Sequence, residues 1–561
     1  MRSFRIVVRW LSLVVLLAIP LSNVPPATGQ VRIPSEALVN VAELDDVFRV
    51  GAELEQQRRW GEALSHYEKA RKEFPGQRDL EQRLTAARFH YELVRRYADT
   101  SFLKAVRTTN PGDAADLYGE VLLKIHAHYV HRPDWNRLLQ RGLTGLEVAI
   151  AEPTFAERNK LHATETLVAD TLNEMRRYVE MKPAFSRHDA RQRAIEIAGA
   201  VERRLQLPSA AVLLEFCCAA VSSLDDYSAF LTGGQLDDVL SQIEGNFVGL
   251  GIELKAADQA LLIVSVIPRG PAEQAGVVAG DKIIEVDGQS TRKISTDAAA
   301  DMLKGAEGSV VDLVLENREG VPRRLRLVRK RVDVPSVDKT AIIDQDFGIG
   351  YFHLASFQKT TNRDVDAALW KLHQQGMRSL IMDLRGNPGG LLTASVEVAD
   401  KFISNGAIVS TRGRSTGEDF DYQAHGVGTW RVPLIVLIDG DSASASEILA
   451  GAIHDHRRGT IVGTRSYGKG SVQGIFPLSV VNAGVRLTTA KFYSPSGQPI
   501  SGRGVDPDFV VRKSERRVAA KPANSELPII NDTPDVVLNA GLQAARRQLT
   551  QSANAGTDGQ R

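Results

Sequence analysis

The sequence has little cysteine, almost no net charge and one extended uncharged apolar run. Its 561 residues hold two cysteines, Cys217 and Cys218, which are neighbours on an apolar helical stretch. Adjacent thiols make a strained disulfide that closes no useful loop, so they read as core thiols, and they form no metal pattern. Formal net charge is +1, which gives nucleic acid and acidic membranes no electrostatic claim on the chain. The apolar run, Trp10 to Leu21, is short for a membrane span and contains Pro20. Arg2, Arg5 and Arg9 precede it, and Ala27-Thr28-Gly29 follows as a cleavage point. This pattern predicts a signal peptide over 1–29 and export across the cytoplasmic membrane, to the periplasm or cell envelope. An uncleaved anchor is the alternative.

Histidine triads are also missing from the C-terminal half, where two runs stand out. The first is Asp439-Gly440-Asp441-Ser442-Ala443-Ser444-Ala445-Ser446-Glu447. It follows a buried-strand pattern, Val432 to Ile438, and leads into helical spacing, so Ser444 falls at a strand-to-helix turn. Free N–H groups and the helix dipole favour negative charge there. The second run is Arg465-Ser466-Tyr467-Gly468-Lys469-Gly470-Ser471-Val472-Gln473-Gly474. A serine hydroxyl needs a base, and a buried lysine with a lowered pKa can serve. Gln473 follows on a strand, where its amide could hold Lys469 in place.

These runs resemble the carboxyl-terminal processing peptidases, S41-type serine proteases with a Ser–Lys dyad and a PDZ domain. The family's Ser-Ala-Ser-Glu signature maps onto Ser444 to Glu447. Its Gly-Lys-Gly-Ser-Val-Gln signature maps onto Gly468 to Gln473. Ser444 and Lys469 are 25 residues apart, as in the family. The resemblance implies Ser444 as nucleophile, Lys469 as general base and Gln473 as its partner. The bland alternative makes Ser442, Ser444 and Ser446 capping hydroxyls and Lys469 a solvated side chain.

Upstream, Leu380 to Leu384 reads as a buried strand running into Arg385-Gly386-Asn387-Pro388-Gly389-Gly390. N–H groups at such a turn can stabilise an oxyanion. The resemblance assigns the hole to Gly389 or Gly390, together with Ala445. Secreted trypsin-like proteases carry a serine where this turn has Pro388, so that rival is excluded. The alternation of strands and helices from Gly348 onward predicts an α/β core.

Residues 240–331 resemble a PDZ domain. Val248-Gly249-Leu250-Gly251-Ile252 matches its carboxylate-binding loop, an anion nest beside which a free peptide C-terminus can add as a strand. The helix Thr296 to Lys304 would flank that groove. Gly51, Leu54, Ala63, Tyr67, Ala70 and Pro75 follow tetratricopeptide spacing, and a looser second repeat follows. This start is either a docking surface or a helical pair that only packs.

The expected fold is multidomain α+β: a helical N-terminal region, a β-rich PDZ module and an α/β Ser–Lys peptidase core. The expected segments are 1–29 signal, 36–112 tetratricopeptide-like helices, 113–239 helical region, 240–331 PDZ domain, 332–515 core, and 516–561 C-terminal helix and polar tail. The resemblance covers about 211–512, and more loosely extends back to 113. Asp226-Tyr227 stands where the family usually has Pro-His, a departure expected to be remote from the dyad.

The function expected is a serine endopeptidase cutting protein substrates near their C-termini, with no metal or organic cofactor. Its partners would be proteins or peptides with free C-termini, and a protein on the N-terminal helices. The alternative is a PDZ and tetratricopeptide scaffold with an inactive core.

Overall fold

The computed structural model describes residues 35–257, 260–291, 302–511 and 535–558. The proposed signal segment, most of the Thr296 to Lys304 helix and the last three residues lie outside them. Among the described residues no helix is long and apolar enough to cross a membrane.

The chain divides into two compact units, Met1–Tyr91 and Glu92–Arg561. In the first, the helices Ser35–Gln56 and Trp60–Glu73 pack around Ala63, Tyr67 and Ala70. A Cβ on Gly51 would come 2.1 Å from the Tyr67 hydroxyl, so only glycine lets the ring lie across that helix. The expected 36–112 segment does not hold as one piece. The boundary falls inside the helix Arg78–Ala98. Leu93, Tyr97 and Phe102 belong to the core of the second unit. Tyr97 meets Phe102 and Phe155 edge-on, each with ring centroids 5.3 Å apart, and Arg96 is paired with the buried Glu215.

The helix Ser209–Ser222 is buried on every side up to Val221 and carries the free thiols Cys217 and Cys218. A helix apolar on every face, with Glu215 its one charge and that charge paired to Arg96, belongs inside a core. Gly142 and Gly145 of the helix Trp135–Ala151 let it approach; a Cβ there would lie 2.3 Å from Phe216 and 2.6 Å from Ala219 respectively. The same core includes Leu478, Val485 and Leu487 from the C-terminal half of the chain. Strand Ala229–Leu231 pairs antiparallel with Gly484–Tyr493. The helical region is therefore continuous with the α/β core rather than a separate domain.

The sheet of the α/β core has six strands among the described residues. Their order is Val337–Asp344, Ile349–Leu354, Ser379–Asp383, Leu434–Ile438, Thr460–Gly463 and Phe509–Val510. The first pair is antiparallel and the rest are parallel. Helices Thr361–Gln374, Leu392–Asp400 and Ala445–Asp455 pack with Leu380, Met382 and Val436. Helix Val536–Asp558 packs with Ile381, Ile435 and Leu437. Alternate residues of one strand thus serve opposite layers, which explains the unbroken apolar runs. Residues 550–558, read from the sequence as polar tail, continue this last helix.

The PDZ module holds a sheet in the order Ile252–Ala257, Ala260–Val266, Lys282–Val286, Val310–Glu316, Pro322–Val328. Its entering strand Asn246–Gly249 and leaving strand Lys330–Asp333 pair with each other as a two-stranded ribbon.

Candidate active site

The strand Leu434–Ile438 ends at Asp439, whose Oδ1 accepts the N–H groups of Gly386, Asp441 and Ser442 at 3.0–3.1 Å. Ser442 Oγ donates to Leu384 O at 2.8 Å. This ties the turn to the neighbouring strand. Ser444 then adopts φ +56° and ψ −113°, a region costly for a side chain other than glycine and held only where the surroundings impose it. Helix Ala445–Asp455 begins at once. The Ala445 N–H has no acceptor among the described residues.

The glycine turn faces this point. A Cβ on Gly389 would lie 2.8 Å from Ser444 Cβ and 3.0 Å from Ala445 N. The two turns also share bonds: Ala443 N–H and Ser446 Oγ both donate to Asn387 O at 3.0 Å. Sequence left two glycines as donors, and they differ here. Gly389 N–H donates to Asn387 Oδ1 at 2.8 Å and is committed. Gly390 N–H has no acceptor among the described residues. Phe357 holds the turn from behind, donating its N–H to Gly389 O and accepting that of Leu391.

Glu447, fully buried, joins the serine to the lysine. Its Oε2 accepts the N–H of Ser444 and of Lys469, each at 2.8 Å. Its Oε1 accepts Gly468 N–H and Ser466 Oγ, each at 2.6 Å. Gly470 is needed because a Cβ there would lie 2.1 Å from Ser501 N. Burial, reinforced by the charge of Arg486, lowers the Lys469 pKa below the ordinary lysine value; Glu447 opposes this. Ser444 Oγ and Lys469 Nζ are not hydrogen-bonded to each other.

Two expectations need correction. The Gln473 amide N–H is not bonded to Lys469 among the described residues; it donates to Ser471 O at 3.0 Å and Ser471 Oγ at 2.8 Å, beside a bulge between Val472 and Gln473. Nor is Tyr227 remote from the dyad. Lys469 Nζ lies 5.2 Å from the centroid of its ring. The strand Ala229–Leu231, lying beside Gly484–Tyr493, brings it there.

In the PDZ loop, Val248 and Gly249 pair with Arg331 and Lys330 of the connecting ribbon. Leu250 and Gly251 turn their carbonyls inward, to Ala272 N–H and Ile267 N–H, and their own N–H groups have no acceptor among the described residues. Gly251 has φ +77°. Strand Ile252–Ala257 is the sheet's edge, pairing only with Ala260–Val266.

Sequence reasoning missed Glu447, Asn387, Asp439 and Tyr227 as parts of the site. The Ser-x-x-Glu spacing of Ser444 and Glu447 is a helix-capping pattern, and together with the place of Glu447 in the Ser-Ala-Ser-Glu run it was the signal available for that residue. No group of three metal-ligating side chains is assembled among the described residues.

Residues 348–511 match the model of peptidase family S41, and residues 262–317 match that of the PDZ domain. A carboxy-terminal-processing protease of Bartonella bacilliformis is 42% identical over 52% of this chain and 67% of its own length. A carboxyl-terminal-processing protease of Synechocystis sp. is 36% identical over 47% of this chain and 62% of its own. A solved photosystem II D1 C-terminal processing protease is 27% identical, covers 71% of this chain and 92% of that one, and overlays with a TM-score of 0.38.

Proposed function

The chain belongs to the S41 family of carboxyl-terminal processing serine proteases and carries a PDZ domain, and on that premise we propose that Ser444 and Lys469 are the dyad of an endopeptidase that cuts proteins near their C-termini. The observation that carries this reading is the Glu447 carboxylate, which binds the backbones of both residues beside two uncommitted N–H groups.

Ser444 Oγ attacks the scissile carbonyl carbon as its proton passes to neutral Lys469 Nζ. The oxyanion lies toward the N–H groups of Ala445 and Gly390. Collapse breaks the C–N bond, Lys469 returns the proton to the leaving amine, and an acyl ester on Ser444 remains. Water then attacks that ester by the same proton route. Gly389 supports the hole sterically, and its N–H stays with Asn387.

The PDZ module delivers the substrate. A chain end adds beside Ile252–Ala257, and its carboxylate binds the N–H groups of Leu250 and Gly251. The arginine-led apolar segment at the N-terminus supports a place outside the cytoplasmic membrane. The helices of the first unit offer a surface for a protein partner.

The test is incubation of an unstructured protein having an apolar C-terminus with wild type and Lys469→Ala, with peptide binding to the PDZ module measured in parallel. Loss of cleavage in the variant with binding intact supports the reading. Equal cleavage by both, or binding without cleavage by wild type, contradicts it.

A further inference from the structure

A charge taken out of water must be paired or hydrogen-bonded, and two half-buried arginines of the α/β core meet that demand. Arg385 spends both Nη groups on Asp383 and Asp535. Arg458 turns its Nε to Phe402 O and its Nη2 to Trp430 O and Val432 O. Arg486 is also half-buried and differs from them. Its Nε donates to Tyr227 O at 2.9 Å, and its two Nη groups have no acceptor and no ion pair among the described residues. Glu92 and Asp225 are the acids whose charge it feels, and both are bonded elsewhere. Glu92 Oε2 accepts Ser222 Oγ at 3.0 Å. Asp225 Oδ1 accepts the N–H groups of Tyr227 and Ser228, each at 2.8 Å, and Thr488 Oγ1 at 3.2 Å. Burial lowers the Arg486 pKa below the ordinary arginine value, although both acids act to raise it.

This guanidinium stands beside Lys469. Val485 and Leu487, its neighbours on the strand Gly484–Tyr493, are fully buried in the helical core, so Arg486 projects from the opposite face. There it holds the backbone of Tyr227, whose ring centroid lies 5.2 Å from Lys469 Nζ, and its charge acts on that lysine. In the proposed reaction Lys469 returns the proton to the leaving amine, so the leaving segment lies on the lysine's side of the scissile bond. We infer that Arg486 is a specificity residue whose free Nη pair binds a carboxylate of the leaving segment, close to the cut. A planar fork of N–H donors fits a carboxylate with two parallel bonds, and a neutral amide cannot match them. The carboxylate is an Asp or Glu side chain, or the chain end of a short tail. The site differs from the nest at Leu250 and Gly251 in offering a full charge rather than backbone N–H groups. This inference rests on the reading of Ser444 and Lys469 as the dyad.

The experiment measures kcat and KM on two sets of unstructured peptides, with the cut located by mass spectrometry. In the first set a residue just after the cut is Glu or Gln. In the second the leaving tail is short and ends as a free acid or an amide. Wild type is expected to favour the acid form in one set by about tenfold or more in kcat/KM, mainly through KM. The set that shows the preference tells side chain from chain end. Arg486→Gln is expected to lose the preference, and Arg486→Glu to reverse it. Removing Arg486 also shifts the lysine pKa, but that effect is common to acid and neutral forms and cancels in their ratio. Where Arg486→Gln does not fold, Arg486→Lys, a point charge without the fork, is expected to keep only the smaller part of the preference. A wild type indifferent to the acid in both sets overturns the inference without any variant. A preference undiminished in folded Arg486→Gln or Arg486→Lys overturns it as well. Wild type cleaving the neutral peptides while Lys469→Ala does not confines such a failure to Arg486; cleavage by Lys469→Ala overturns the dyad itself.

Discussion

Glu447 Oε2 lies 2.8 Å from the backbone nitrogen of Lys469, and the same oxygen lies 2.8 Å from that of Ser444. One buried carboxylate thereby sets the spacing between the two loops that hold Ser444 and Lys469. Charge-assisted bonds of this kind are roughly twice as strong as neutral ones. In Glu447→Gln one oxygen becomes an NH2 facing N–H donors, so at least two of the four accepted bonds are lost. Stability is expected to fall by about 2–4 kcal/mol. Denaturant unfolding in a Ser444→Ala background, free of self-cleavage, measures it. The turnover of Glu447→Gln is expected to fall with KM nearly unchanged.

The glycine turn, in its proposed role as oxyanion hole, gives a second prediction. Asn387 is fully buried and bridges the turn, its Oδ1 accepting Gly389 N–H and its Nδ2 donating to Leu354 O at 2.7 Å. Asn387→Ala leaves a buried donor and a buried acceptor without partners and loosens Gly390. Steady-state kinetics should show kcat falling by about 100-fold, the size of one lost oxyanion donor, with substrate affinity kept. A loss carried mainly in KM would remove Gly390 from the hole.

Activity against pH reports Lys469. Its pKa is lowered, first by burial and then by Arg486, so kcat is expected to rise along an acid limb below the ordinary lysine range. Arg486→Gln removes a positive neighbour, which raises the Lys469 pKa, so that limb should move to higher pH. Stability follows with a definite sign. Between the folded and unfolded lysine pKa values the unfolded chain binds more protons, and stability therefore rises with pH through that window. Both shifts are read from one pH series of kcat and of unfolding midpoint.

The last helix is fastened to Arg385, just after the strand Ser379–Asp383. Arg385 donates to both carboxylate oxygens of Asp535 at 2.8 and 2.9 Å. Asp535 is 44% exposed, so solvent screens the pair and Asp535→Asn should cost only about 1 kcal/mol. Ending the chain before residue 535 is different in kind. It uncovers the face formed by Ile381, Ile435 and Leu437. That truncated protein is expected to aggregate, as light scattering on heating would show.

A physical route also joins the PDZ module to the oxyanion turn. Val334 N–H donates to Gly245 O at the foot of the ribbon, and Lys359 N–H to Ile243 O. Two residues earlier, Phe357 carries the backbone bonds to Gly389 and Leu391. A peptide saturating the PDZ groove is expected to raise kcat on a second, short substrate. Unchanged turnover at saturation would separate the groove from catalysis.

Much of this site was legible because its parts are local. The strand-to-helix turn at Ser444, the glycine turn and the Gly-Lys-Gly run each declare themselves within ten residues. The partners of those residues are not local. Glu447 binds Lys469 across 22 positions, and Tyr227 reaches Lys469 through strand pairing between Ala229–Leu231 and Gly484–Tyr493. No periodicity encodes such pairings. The same cause hides the division between the two compact units. Residues 92–112 read as a continuing repeat, yet Tyr97 and Phe102 are buried in the core of the second unit. The bond from the Gln473 amide N–H to Ser471 was not legible either, because a bulge between Val472 and Gln473 has no signature in the run itself.

The most direct test of the account is acid-quench mass spectrometry during turnover of an unstructured protein. The account expects a substrate-derived acyl mass on the peptide that contains Ser444. It expects none in Ser444→Ala, and a rate of its formation lower by about 100-fold or more in Lys469→Ala. Cleavage that persists in Ser444→Ala, or an acyl mass on another residue, would contradict it.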